Sequence, residues 1–185
     1  MRNPGRLIVG LALAATAIAG AAVAAGPSVL QALAGEYSFR FENSLVSGEH
    51  YRAENNLAIV PTGPGAAYVD ASLEFYNGHQ CSVAGIAHIE GRDLVYREPE
   101  ASKIGDQACV LHVARKGSKV VISDEEGTCK AYCGARGSLS DDSFPFSSRQ
   151  PVRHLKRLRA SDGFKQALDE DAKRGHKTSP ASARS

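Results

Sequence analysis

The sequence predicts a small, mainly β protein: an antiparallel up-and-down barrel of seven or eight strands, with a sandwich as the alternative, followed by a C-terminal helical segment. Three observations predict it. Between residues 35 and 123 apolar side chains recur at every second position, the period of a half-buried strand. Turn residues separate these segments with no helical pattern between them, which describes a meander. Cys129 and Cys133 fall within the stretch Thr128–Phe146, placed to fasten the closing seam of such a sheet. A barrel is preferred because closure removes the exposed edges that a small exported protein would otherwise have to protect.

The elements follow in order. Gly35–Glu42 sets Tyr37, Phe39 and Phe41 against Glu36, Ser38, Arg40 and Glu42. Tyr51–Val60 continues with Ala53, Leu57 and Ile59 on one face, interrupted by Asn55. Two prolines and two glycines in 61–65 predict a loop that stops regular structure. Ala66–Tyr76 alternates most clearly, and Asn77-Gly78, a pair that tolerates positive φ, predicts a hairpin into Cys81–Ile89. Glu90-Gly91 turns the chain into Asp93–Arg97, and Cys109–Ala114 pairs with Lys119–Ser123 across Lys116-Gly117-Ser118. From Gln150 the apolar residues Val152, Leu155 and Leu158, then Phe164, Ala167 and Leu168, recur at helical spacing. Two short helices, or one broken near Ser161–Gly163 with Asp162 as a cap, are expected to pack on the barrel by this stripe. Beyond Arg174 no periodicity remains, and 175–185 is expected to be a disordered tail.

The 185 residues are enough for one core. Arg2 and Arg6 precede an uncharged apolar run, Leu7–Ala25, that ends in Ala22-Val23-Ala24. That pattern predicts a signal peptide over 1–25 and a periplasmic or secreted protein; an uncleaved membrane anchor is the alternative. The organisation is then a leader, a disulfide-linked barrel over 26–148, a basic amphipathic helical segment over 149–174 and the tail. In an oxidising compartment four cysteines imply two disulfides. In an up-and-down sheet all four gather toward one end, so Cys109 is expected to pair with Cys129 or Cys133, and Cys81 with the remaining one.

Charge divides the mature chain. Residues 26–148 hold 10 Lys and Arg against 16 Asp and Glu, and 149–185 hold 10 against 4. Either the basic segment docks on its own acidic body, or Arg153, Lys156, Arg157 and Arg159 meet an anionic surface or partner. Nothing in the pattern points to nucleic acid.

Catalytic motifs are missing: no nucleophile elbow, zinc-protease helix motif, phosphate loop or dinucleotide fingerprint occurs. The polar strand faces carry Asp70, Ser72, Glu74, His88, Glu90 and His112, an inventory read as a solvated outer face. His79, His88 and His112 lack the close spacing of zinc ligands, so no metal or cofactor is expected. Arg136, between Cys133 and Gly137, is either a cation presented to an anionic ligand or a surface arginine paired with Asp141 or Asp142.

The order Ser47-Gly48-x-x-Tyr51, Gly63-x-x-Ala66 and Cys81 resembles the periplasmic inhibitors of c-type lysozyme, a family of small β-barrels. The resemblance implies a lysozyme-like protein partner met by Ser47 and Tyr51 and by Thr62, which stands where the family has a lysine. The stretch Y-C-G-A-R-G-S-L, residues 132–139, also resembles uncharacterised exported bacterial proteins. The function expected is therefore a non-catalytic exported barrel that binds through its loops, with Ser47, Tyr51, Thr62 and Arg136 as binding residues. A carrier of a small apolar ligand is the alternative, since the inward residues Ala53, Ala71, Gly85 and Ala87 would leave room. An enzyme of unknown class comes third.

Overall fold

The computed structural model describes residues 28–124, 126–140 and 142–178; the expected leader over 1–25 lies outside them. Strands β1 (Gly35–Ser44), β2 (His50–Gly63), β3 (Ala66–Glu74), β4 (Gln80–Glu90), β5 (Asp93–Arg97), β6 (Val110–Lys116), β7 (Lys119–Ser123) and β8 (Asp142–Pro145) pair antiparallel in chain order. This is the expected barrel, nearly closed. Among the described residues no ladder joins β1 to β8, and one bridge, Glu36 to Gln150, spans that side.

The predicted alternation sends Tyr37, Leu57, Leu73, Leu94, Leu111 and Ile122 inward, each at most 1% exposed. The barrel is full. Ala71 and Ala87 belong to the packed core and Ala53 is buried, and the space expected at Gly85 belongs to Tyr96: a Cβ there would stand 2.2 Å from Tyr96 Cε2. The room for an internal apolar ligand is thus taken by a tyrosine ring from the neighbouring strand.

One local expectation needs correction here. The 61–65 segment does not end the sheet, because β2 runs on to Gly63 with a register break between Pro61 and Gly63. On β2 the odd-numbered residues point their backbone groups toward β1, whose pairing begins at Gly35 opposite Ile59. Pro61 therefore lies past the end of its neighbour, where a missing N–H costs no hydrogen bond. The Asn77-Gly78 turn forms as expected, with φ of 61° and 69°.

One end of the barrel is plugged by α1 (Val29–Leu33), a short helix opened by a Ser28/Gln31 capping box, whose Leu30 and Leu33 enter the core. Its C-terminal carbonyls are held by the Arg149 guanidinium, which donates to the oxygens of Gln31, Ala32 and Ala34 at 2.7–3.1 Å. The other end carries both disulfides, Cys81–Cys133 and Cys109–Cys129, so the four sulfurs gather at one end as expected.

The C-terminal segment forms α2 (Leu155–Ala160) and α3 (Asp162–Thr178). They cover an outer ladder, Val60–Tyr68–Ile86, with Val152, Leu155, Leu158, Phe164 and Ala167; the Tyr68 and Phe164 rings lie 4.8 Å apart. Burial pushes the Tyr68 hydroxyl up to about 12, with the Asp70 charge adding to it. The cap is Ser161, whose Oγ accepts the Phe164 N–H at 3.3 Å, and Asp162 sits in the first turn instead. The helix also runs past Arg174 to Thr178, so 175–178 of the expected tail is helical; 179–185 lies outside the described residues.

Candidate functional site

The site is the unclosed seam. β1 meets the chain beyond β8 at the Glu36–Gln150 bridge, and toward the disulfide end a cleft of about 600 Å³ lies between the two edge strands. Phe39 and Phe41 form its floor. They share the inward face of β1 with the fully buried Tyr37, yet Phe39 is 45% exposed because no strand covers it. Their rings stack at 5.8 Å with a 16° interplanar angle. Phe75 and Tyr76, the latter 43% exposed, extend the apolar wall.

Polar groups line the same cleft. Asn43 Nδ2 donates to the Tyr51 hydroxyl and to the Phe75 carbonyl, each at 2.9 Å. Asn55, directly opposite Phe39 on β2, accepts the Glu74 N–H through Oδ1 at 2.8 Å. Both asparagines hold the wall in place, but Asn55 Nδ2 has no hydrogen-bond partner among the described residues and is left to donate into the cleft. Glu74 keeps one carboxylate oxygen for Gln80 Nε2 at 2.6 Å. Asp142, at the start of β8, is half-buried and forms no ion pair among the described residues, and burial raises its pKa. Lys119 and Ser143 complete the rim. The cleft thus offers an aromatic floor beside a carboxylate lacking a cation. Such a surface can stack an apolar or aliphatic group and attract positive charge.

The residues expected to bind are scattered. Ser47 is exposed in the turn between β1 and β2, near the cleft; Thr62 is exposed at the far end of β2. The 14 residues of β2 separate them by about 45 Å of extended chain. Tyr51 is half-buried, and its hydroxyl oxygen accepts from Asn43. Arg136 is exposed at the disulfide end and makes no ion pair with Asp142.

The polar strand faces lie mostly outside, and three of their groups, His88, His112 and Glu90, have charged partners there. His88 Nε2 meets Asp171 at 2.7 Å, His112 Nδ1 lies 3.6 Å from Asp93, and Arg97 holds Glu90 through two bonds of 2.8 and 3.0 Å. That fork, together with the Arg97 charge, holds the Glu90 carboxyl below the usual range. Ser72 is exposed, and Asp70 faces α2. No group of three metal-ligating side chains occurs among the described residues.

Sequence reading missed Phe39, Phe41 and Asp142 as site residues. Two marks pointed to them: three aromatics at successive inward positions of one strand, and an asparagine breaking the apolar face of the next strand opposite the middle one. The basic residues Arg153, Lys156, Arg157 and Arg159 project outward. Docking of their segment rests on its apolar stripe, and none of the four forms a side-chain ion pair among the described residues. Comparison with protein-family models, with curated proteins and with solved structures finds no match to this chain.

Proposed function

We propose that this is an exported, non-catalytic binding protein that takes its ligand or partner in the seam cleft between β1 and β8, outside the packed interior. The observation that carries the reading is the exposed Phe39 ring, stacked on half-buried Phe41, on a strand face that elsewhere is sealed. Full burial of a phenyl ring is worth roughly 1.5–3 kcal/mol, and the part forgone by the 45% exposed Phe39 is recovered when the surface is occupied. Export is supported by the two disulfides, which persist in oxidising compartments. The internal carrier loses its support because Tyr96 fills the space at Gly85.

A lysozyme-like partner fits the same surface if Ser47, on the exposed turn near the cleft, enters together with the seam. Ser47 and Thr62 would not enter one cleft together. The test is amide chemical-shift mapping of the protein without residues 1–25 against phenol, indole and N-acetylglucosamine, with inhibition of a c-type lysozyme measured in parallel. Shifts centred on Phe39, Phe41 and Tyr76 and abolished by Phe39→Ser are expected. Shifts centred on interior residues such as Leu57 and Leu111, or none, would remove the seam reading.

A second reading rests on a separate observation, the four outward cations of the helical segment, which have no ion-pair partner among the described residues. They would bind an anionic surface, and binding to anionic but not neutral lipid vesicles, weakening with salt, is the outcome that supports it.

A further inference from the structure

We propose that the seam is filled by an extended basic peptide from a partner protein, which adds to the free edge of β1 along Ser38–Glu42 as a ninth strand. This rests on the seam being the binding surface and names what binds there.

The backbone supplies the first argument. The N–H of Glu36 donates to the Gln150 carbonyl, and the Glu36 carbonyl accepts from Gln150, each at 2.8 Å. In an antiparallel strand a residue points both backbone groups to one side, and successive residues alternate sides. Ser38, Arg40 and Glu42 therefore present their N–H and C=O groups to the seam, while Tyr37, Phe39, Phe41 and Asn43 spend theirs on β2. None of those six seam-facing groups has a hydrogen-bond partner among the described residues. A row of this kind is a template for another strand.

β8 cannot fill that role. Phe146 N–H donates to Ser118 at 2.8 Å, so Phe146, Phe144 and Asp142 aim their backbone groups at β7, and Ser143 and Pro145 face the seam. Pro145 has no N–H, and its carbonyl is taken by Ser148 Oγ at 2.8 Å. Among the described residues only Ser143 is left on that edge, against three on β1. The chain has blunted one side of the gap and left the other open.

Side chains supply the second argument, and they choose the peptide's chemistry. Along an added strand every second side chain points inward, over Phe39 and Phe41. The aliphatic stem of a lysine or arginine would lie on those rings, and its charged head would reach the Asp142 carboxylate, which has no cation of its own among the described residues. On the outer face Arg40 is already paired with Glu54 at 3.1 Å and Glu42 with Arg52 at 3.0 Å, so that side imposes no charge. A second copy of the chain docking edge to edge about a two-fold axis would instead set Arg40 against Arg40 and leave Asp142 unpaired.

The test uses the protein without residues 1–25 and a seven-residue acetylated peptide alternating lysine with threonine. Controls are its glutamate counterpart and a version N-methylated on the backbone nitrogens that would face β1. The lysine peptide should bind and slow amide exchange at Ser38, Arg40 and Glu42. N-methylation should weaken binding about tenfold or more through the lost donors, and Asp142→Asn should erase the preference over glutamate. Arg40→Pro removes a backbone donor that no bond among the described residues uses, and should weaken binding relative to Arg40→Ala, which equally lacks the Glu54 pair, while leaving the melting temperature close to that of Arg40→Ala. Three results would each overturn the proposal: equal binding of both charge types, no protection at the three amides, or protection that appears without peptide as a concentration-dependent dimer. If phenol still shifts Phe39 while the peptide fails, strand addition falls and the seam site stands; if neither acts, both fall.

Discussion

The Glu98 carboxylate accepts the backbone N–H of Cys109 through Oε2 at 2.9 Å. Its other oxygen takes the Ile104 N–H at 3.0 Å and the Tyr132 hydroxyl at 2.6 Å. Asp124 does the same for the opposite half of that disulfide, accepting the Cys129 N–H through Oδ2 at 2.9 Å and Thr128 through Oδ1. Both acids are at most 5% exposed. Loops 98–109 and 124–129 have no regular strand to satisfy their amides, so buried carboxylates receive them instead.

Glu98→Gln is expected to cost about 1–3 kcal/mol, because one end of the amide must turn an N–H toward a donor that the carboxylate oxygen accepted. Asp124→Asn should behave alike. Urea unfolding with an unchanged slope would show the loss as a lower midpoint. A midpoint equal to that of the parent would mean these acids only occupy space.

The two disulfides should differ in value. Cys81–Cys133 spans 52 residues and Cys109–Cys129 spans 20, so loop-closure entropy favours the first by roughly 1 kcal/mol. Replacing each pair by alanine and comparing unfolding midpoints measures the difference. A larger loss from the Cys109–Cys129 pair would show that the carboxylate-bound loops matter more than chain entropy.

Gly85→Ala tests the filled interior. Its Cβ would meet Tyr96 Cε2 at 2.2 Å and Cδ2 at 2.8 Å, so the ring has to tilt in a closed core, at about 1–3 kcal/mol. The cost should fall in the background of Tyr96→Leu, which frees the volume, and the double-mutant cycle reads that coupling. Additive losses would place the strain elsewhere.

The barrel was legible in the sequence because its strands are half-buried: period two in Ala66–Glu74 and Gln80–Glu90 announces both the strand and the face it buries. The Asn77-Gly78 turn was legible for the same reason, since few residues accept its dihedral angles. β8 is four residues long, too short for a period to emerge, and it went unassigned. α1 has five residues and takes its stability from Leu30 and Leu33 inside the core, a tertiary effect that leaves no periodic trace. The site was hidden because its defining property is a neighbour that fails to pair. Sequence told that Phe39 faces inward; only the gap beside β8 leaves it in water.

Asp70 gives the pH prediction. It sits on the outer face of β3 under α2, in a small cleft with Glu36, His154 and Arg157, and no cation lies within ion-pair reach among the described residues. Burial raises its pKa above the ordinary 3.8. A carboxyl raised in the folded state holds its proton more tightly there than in the unfolded chain. Its charged form therefore opposes folding above the folded-state value, and the penalty is relieved as pH falls through that value toward 3.8. Asp70→Asn removes the charge at every pH, so the variant should be more stable than the parent at pH 7, and the gain should shrink to its pH-independent part below about pH 3.5. Asp142 is raised by burial as well and adds a slope of the same sign to both proteins. It cancels in the difference between variant and parent, which isolates Asp70. Unfolding free energies at pH 7, 5 and 3.5 measure it; a gain that grows on acidification would mean that a cation, Arg157 or a protonated His154, pairs with Asp70 in solution and that its charge supports the docking of α2.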